Sequence, residues 1–220
     1  MLKGRDHRRL DRLFYRPWYD LGSNINQSIA FPERCRLRHI VFYNPERVSL
    51  NKNLYGVEPF NPEISICLSI ILNSTLTALI SEVYARQPGG GGGPLDIDVY
   101  VAALILVPNI DLIMKYKDLL NDLLLDREIE SIFEEIGADN PDDVNFEKIK
   151  QDRRKLDKII MGDILGLTED EQLEVYRAVV DLVKYRIEKA QSAGSSKKMK
   201  GGIDVELLKK VVVEQIKKES

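Results

Sequence analysis

Cysteine, histidine and tryptophan are scarce in this 220-residue chain, which holds two, two and one of them. Cys35 and Cys67 lie far apart in different kinds of segment, so no disulfide framework is expected and a reducing cytosol suits the chain. His7 and His39 both sit among arginines, which repel a divalent cation, and no Cys/His/carboxylate group has ligand spacing; a metal site is not expected. Gly-Lys-Ser/Thr does not follow the glycine run at 89–93, and that run ends a helical pattern where a phosphate-binding loop would open one. Ser/His/Asp catalysis lacks a recognisable nucleophile elbow. Long hydrophobic runs are missing too. The stretch 64–80 is uncharged, but it carries Ser65, Ser69, Asn73, Ser74, Thr75 and Thr77 and falls short of the ~20 apolar residues a bilayer needs. It reads as a buried core helix, with no membrane partner. Lys3, Arg5, Asp6, His7, Arg8 and Arg9 open the chain with no apolar run behind them, so a signal peptide is not expected.

What is present is the composition of a globular protein, 44% hydrophobic and 30% charged, long enough to bury a sizeable core. The net charge of −3 conceals an asymmetry. Residues 1–60 hold 11 Lys+Arg against 6 Asp+Glu, whereas residues 111–190 hold 13 against 21. A basic N-terminal part masked by an acidic remainder points to a polyanionic partner at that end.

Residues 1–60 read as strands and turns. Arg36 to Tyr43 is rich in β-branched and aromatic residues and stops at Asn44-Pro45, a turn signal. Val48–Leu50 and Leu54–Val57 are candidate short strands. Asn61, Pro62 and Glu63 then supply an N-cap, a proline suited to the first turn and a carboxylate for the dipole. The helix they open should run to Tyr84 and be covered on most faces. Leu95–Pro108 reads as a strand with loop or short helix. From residue 110 the pattern is helical: 110–125, 126–136 ending at Gly137, and 146–165 closed by Gly166. Thr168 with Glu171 forms a capping box before a helix presenting Leu173, Tyr176, Val180, Val183 and Ile187. Residues 191–202 read as a linker and Ile203–Lys218 as a last amphipathic helix. The expected fold is α+β: a small twisted β-sheet packed on a long buried helix, followed by a helical subdomain. Its units are 1–110, 111–190 and 191–220.

The residues that point to a ligand are basic. Alternation along a strand would set Arg34, Arg36 and Arg38 on one face with His39 beside them, and three like charges need solvent or an anion. Phosphate oxygens would satisfy them and release counterions from DNA. A solvated sheet edge guarded by charge explains them equally well. Arg5, Arg8, Arg9, Arg12 and Arg16 extend the set.

Several phrases together resemble a known family. Leu2-Lys3-Gly4-Arg5-Asp6 with Arg8-Arg9, Arg16-Pro17-Trp18-Tyr19-Asp20-Leu21-Gly22 and Ile70-Ile71-Leu72-Asn73-Ser74-Thr75-Leu76 occur in the order seen in one region. So do the glycine-rich turn with Leu95 to Tyr100 and Leu106-Val107-Pro108. Asp157 to Ile160, Leu165-Gly166-Leu167-Thr168 and Glu174-Val175-Tyr176 look like its helical tail. That region is the C-terminal target-recognition region of adenine-specific DNA methyltransferases of the fused restriction-modification type. The resemblance spans roughly residues 1–190. In that family a separate catalytic domain binds S-adenosylmethionine and carries an Asn-Pro-Pro-aromatic motif. Here Asn44-Pro45-Glu46 and Asn61-Pro62-Glu63 lack the second proline and the aromatic ring, so they read as a turn and a helix cap. The resemblance therefore implies a non-catalytic module with no cofactor of its own. Its partners would be double-stranded DNA and a catalytic methyltransferase subunit that binds S-adenosylmethionine. Arg34, Arg36, Arg38, His39 and Arg86, with Gly90, Gly91 and Gly92 for close backbone approach, would face the duplex. The competing expectation is a protein-interaction or structural module in which the amphipathic helices 169–189 and 203–218 bind a partner or a second copy.

Overall fold

The computed structural model describes residues 26–88, 93–121, 123 and 128–201, with side chains given as far as residue 192. The N-terminal arginines, Gly90, Gly91, Gly92 and the helix expected at 203–218 lie outside the described residues. The fold is α+β. Two small antiparallel sheets stand beside a predominantly helical body.

The first sheet is built on β1 (Ile29–Pro32), flanked by β3 (Phe42–Tyr43) and β4 (Leu54–Val57). Ile29 pairs with Tyr43 on one side and Val57 on the other, and Phe31 with Tyr55. In the second sheet β2 (Arg34–Cys35) pairs with β5 (Leu95–Asp96), and Arg86 bridges to Asp96 from the other side. The continuous strand expected at 36–43 is not formed: Arg36 to Val41 connect β2 to β3 as irregular chain. Val48–Leu50 is likewise not a strand. Side chains of both sheets, Ile29, Phe31, Cys35 and Leu95, with Val41 and Ile97 from the adjoining chain, pack on Leu68 and Leu72 of the adjoining helix.

That helix starts where the sequence says, with the Asn61 Oδ1 accepting from Glu63 N at 3.0 Å. It does not continue to Tyr84. A 3₁₀ turn at Pro62–Ile64 leads into α1 (Ser65–Ile71), and α2 (Thr75–Tyr84) follows at an angle of 72°. The corner is Leu72-Asn73-Ser74, whose polar side chains compete with the helical backbone for hydrogen bonds. Ser74 caps α2 by accepting from Thr77 N at 3.3 Å. Asn73 is spent on Val41: its Oδ1 accepts from Val41 N and its Nδ2 donates to Val41 O, both at 2.8 Å, with a third bond to Ser69 O. One side chain thus stands in for a neighbouring strand and closes the backbone next to β3. No single described helix is long and apolar enough to cross a membrane.

Beyond β5 come the short helices α3 (Val99–Ala102), α4 (Ile110–Lys115), α5 (Lys117–Leu120) and α6 (Ile132–Ile136). Gly137 ends α6 at φ +72°, where a Cβ would lie 2.5 Å from Lys148 O, so only glycine fits. α7 (Gln151–Asp157) runs into a π-helical stretch at Lys158–Ile164, and α8 (Glu169–Gly201) closes the described chain. Ile159 and Ile160 enter a core with Ile64, Cys67 and Ile71 of the α1 segment, while Met161 enters another with Ala78, Ile136 and Tyr176. Residues before and after position 110 therefore share two of the hydrophobic cores, while the core beside the sheets is built from residues before it. The capping box of α8 is formed, Thr168 and Glu171 each bonding the other's backbone N–H. Tyr176, Val179, Val180 and Val183 are buried along its inner face. The helix also passes through 191–201, where the sequence pattern suggests a linker.

Candidate nucleic-acid interface

Pairing of β2 with β5 brings three of the expected contact residues together. Arg34 and Arg86 flank Asp96: Arg34 Nε donates to Asp96 Oδ1 at 2.6 Å, and the Arg86 backbone bonds the Asp96 backbone at 2.9 and 3.1 Å. The Arg86 guanidinium itself forms a fork on Asp98, 2.7 Å from Nε and 2.9 Å from Nη2. Both arginines remain well exposed, at 60% and 71%. Arg36 is exposed two residues further on, and its guanidinium meets no carboxylate among the described residues.

The glycine-rich run joins this cluster through a buried cation. Arg186 of α8 is 1% exposed and holds Glu82 of α2 by two bonds, Nε to Oε2 at 2.9 Å and Nη2 to Oε1 at 2.7 Å. Its Nη1 donates to Gly93 O at 3.2 Å and its Nη2 to Arg36 O. The chain leaving the run is thereby fastened to the chain carrying Arg36. Cys35 lies in the same environment, where burial and the Glu82 charge push its thiol up to about 12. Nothing in the residue pattern signals this tie, because an arginine on a long polar helix reads as solvated.

Arg38 does not share a face with Arg34 and Arg36, since no strand connects them; its guanidinium pairs with Glu128. His39 is no surface residue. Its ring lies edge-on to Phe31 with centroids 5.7 Å apart, and Nε2 sits 2.9 Å from Leu72 O. The carbonyl accepts, so Nε2 carries the proton and Nδ1 is left unprotonated without a partner. Burial, with the Arg153 charge adding and the Leu72 bond opposing, lowers the imidazole from 6.5 to about 4. The DNA contact expected of His39 is corrected by this placement: it is a core histidine held neutral.

A pH dependence follows. The unfolded chain takes up a proton near 6.5 that folded His39 refuses until about 4. The stability it contributes is therefore present above 6.5 and lost as pH falls to about 4, a contribution of roughly 3 kcal/mol. His39→Phe lacks that component, so the difference between the wild-type and variant urea-unfolding stabilities should change by roughly 3 kcal/mol between pH 7 and 4. Parallel curves for the two proteins between pH 4 and 7 would refute the assignment.

Among the described residues no group of three or more His, Cys, Asp or Glu is arranged to hold a metal ion. Comparison with protein-family models, with curated proteins and with solved structures found no match.

Proposed function

We propose that this chain is a non-catalytic DNA-recognition module or subunit of an adenine-specific DNA methyltransferase of restriction-modification type. It would position duplex DNA for a partner that binds S-adenosylmethionine. One observation carries the reading: Arg34, Arg36 and Arg86 gather at the two-stranded sheet, and Arg186 ties that cluster to Gly93 at the end of the glycine-rich run. One segment that bears the family resemblance, Leu95 to Tyr100, meets the basic residues there, and Gly93 is tied to the same place by Arg186.

Asp96 and Asp98 balance two of the three arginines, so the cluster is no strong positive patch. Exposed ion pairs are worth only about 0–1 kcal/mol, however, so a guanidinium gives up a carboxylate for a phosphate at small cost. A phosphate accepts the same forked geometry that Arg86 now offers Asp98. Among the described residues Arg36 has no such partner to release.

The test is fluorescence anisotropy of a labelled mixed-sequence duplex, titrated at several salt concentrations. Three neutralised phosphates give a log–log salt slope of about −2.7. Arg34→Glu/Arg36→Glu/Arg86→Glu should weaken binding to every duplex alike and flatten that slope by about one for each phosphate no longer neutralised. Binding whose affinity and slope are unchanged in the triple variant would remove the cluster from the interface.

A second reading, a protein-interaction module, is favoured by a specific surface. Val99, Tyr100, Leu104, Leu106 and Leu119 are all at least half exposed within one stretch of chain. Exposed apolar patches of this kind mark docking surfaces. A concentration-dependent oligomer abolished by Leu106→Glu, together with no duplex affinity at low salt, would decide for it.

A further inference from the structure

The segment from Val99 to Leu120 is apolar on two sides. Its inner side is spent on the body of the protein: Val101 packs with Leu68 and Leu72, while Ile113 and Leu120 pack with Ile64, Cys67 and Ile71. Its outer side is apolar as well. Eight large apolar side chains between Val99 and Leu119 stand 39% to 82% exposed, Tyr100 and Leu106 the most. In α4 both sides meet within six residues, with Ile113 buried and Ile110 and Met114, one turn apart, exposed. A helix whose outer side meets only water carries polar residues there, whereas one that is apolar all round is covered.

The open area suits a protein interface. At about 60–120 Å² of apolar surface per side chain of this size, the eight leave about 300–500 Å² open. A standard interface takes about 800 Å² from each partner, and homodimer interfaces are about 65% apolar. The face thus supplies most of the apolar area that one partner of a stable dimer contributes.

Charge selects the occupant. Asp111, Lys115, Lys117 and Asp118 lie among these apolar residues, two of each sign, and none of them forms an ion pair among the described residues. A balanced set attracts neither nucleic acid nor an anionic membrane. It matches a surface bearing the same balanced set, and a second copy offers that surface. Asp111 and Lys115 are exposed, four residues apart in α4 beside Ile110 and Met114. Laying α4 antiparallel to its own copy sets Asp111 of each chain opposite Lys115 of the other, the reciprocity of a two-fold contact.

We infer that this outer face is the two-fold interface of a homodimer, in which α4 packs antiparallel to α4 of a second copy. The dimer rests on the apolar surface that favours the protein-interaction reading, and it is compatible with duplex binding.

Sedimentation velocity of the full chain over a concentration series reads the assembly. Dimers should form as concentration rises. Tyr100→Ser/Leu106→Ser, at two exposed positions, should raise the dissociation constant about 100-fold or more while circular dichroism stays native. Asp111→Lys and Lys115→Asp, made in separate chains, should each weaken self-association, and an equimolar mixture of the two should dimerise again. Should the double serine variant not fold, this charge-reversed pair decides alone. Three results overturn the inference: a chain that stays monomeric throughout, a dimer that the folded double variant leaves unchanged, and a mixture that associates no better than its components. Duplex anisotropy on the same samples separates the failures. A monomer without duplex affinity loses only the self-pairing and leaves the surface to a different protein, whereas a monomer that binds duplex counts against the interaction reading too. A monomer that pellets with phosphatidylserine vesicles would make a membrane surface the occupant and overturn the dimer.

Discussion

Arg153→Met should lower the stability of the folded chain by about 3–5 kcal/mol, among the largest losses expected of any single substitution in this protein. Arg153 is 2% exposed, and Glu135, to which its Nε donates at 2.9 Å, is 1% exposed. Its Nη1 donates to Asn73 O at 2.6 Å, so the same guanidinium satisfies the corner between α1 and α2. It also lies near Asp157, a buried carboxyl that binds Thr75 N at 2.9 Å and Thr75 Oγ1 at 2.6 Å. Burial raises the Asp157 carboxyl, and the Arg153 charge is the largest influence opposing that rise. Removing the cation takes from Glu135 its nearest cation, leaving Lys150 Nζ at 3.8 Å and the Glu130 N–H at 3.0 Å, and deepens the cost of Asp157 at once. Guanidinium-chloride unfolding monitored by circular dichroism reads the loss, and a Tm drop on the order of 10 °C should accompany it. Arg153→Met/Glu135→Leu should regain much of the deficit, because a buried pair replaced whole by apolar groups is often neutral. A loss below about 1 kcal/mol in the single variant would show that water reaches the site and that the burial described is wrong.

The same network explains how far the sequence could be read. Local signals were legible where one residue bonds its near neighbours. Asn61 capping the turn at Pro62, Thr168 with Glu171, Gly137 with positive φ and Asn44 in its turn all lie within four residues of a bonding partner. The inner face of α8 was legible for the same reason, since a repeat of apolar residues needs no knowledge of what it meets. The long helix from Pro62 failed at Asn73-Ser74. These residues looked like tolerated polar positions on a buried helix, and their partners Val41 and Thr77 include one 32 positions away. A run of Asn, Ser and two Thr inside an apolar helix is the signal that was there to use.

The candidate site was less legible than the fold. Arg34, Arg36 and Arg38 alternate only if the chain stays extended. It does not, because after Cys35 it turns to bury His39 against Phe31 and Leu72. A histidine between Arg38 and Ile40 carries no mark that tells a core position from a surface one. The acids that neutralise Arg34 and Arg86 come from β5 and from Asp98, respectively 62 and 12 positions away. Charge counted along the chain cannot foresee such pairing. Arg186 was invisible for a related reason: it reaches Glu82, 104 positions distant, and Arg36, 150 positions distant.

Arg186 therefore gives the sharpest joint test of fold and function. Arg186→Met leaves Glu82 6% exposed without a cation and frees the carbonyls of Gly93 and Arg36. A loss of about 3–5 kcal/mol is expected, with an acid-dependent sign of its own. Burial already raises the Glu82 carboxyl, and Arg186 is what opposes that rise. Without the arginine the folded carboxyl takes up a proton at higher pH than the unfolded one, which favours the folded state below its pKa and not above it. The deficit of the variant relative to wild type should therefore shrink as pH falls from 7 towards 5. A comparison of the two proteins at each pH cancels His39, which is present in both. Arg186→Met/Glu82→Met should likewise restore much of the loss at neutral pH. The functional consequence separates architecture from contact. A buried side chain cannot touch a duplex, yet it fastens Arg36 to the end of the glycine-rich run. If that region binds DNA, Arg186→Met should weaken duplex affinity while keeping the salt slope, because the phosphate-binding arginines are all still present and only their positioning suffers. An Arg186→Met protein that is folded at the assay temperature and binds duplex as wild type does would separate the tie from recognition and leave it a purely structural bond.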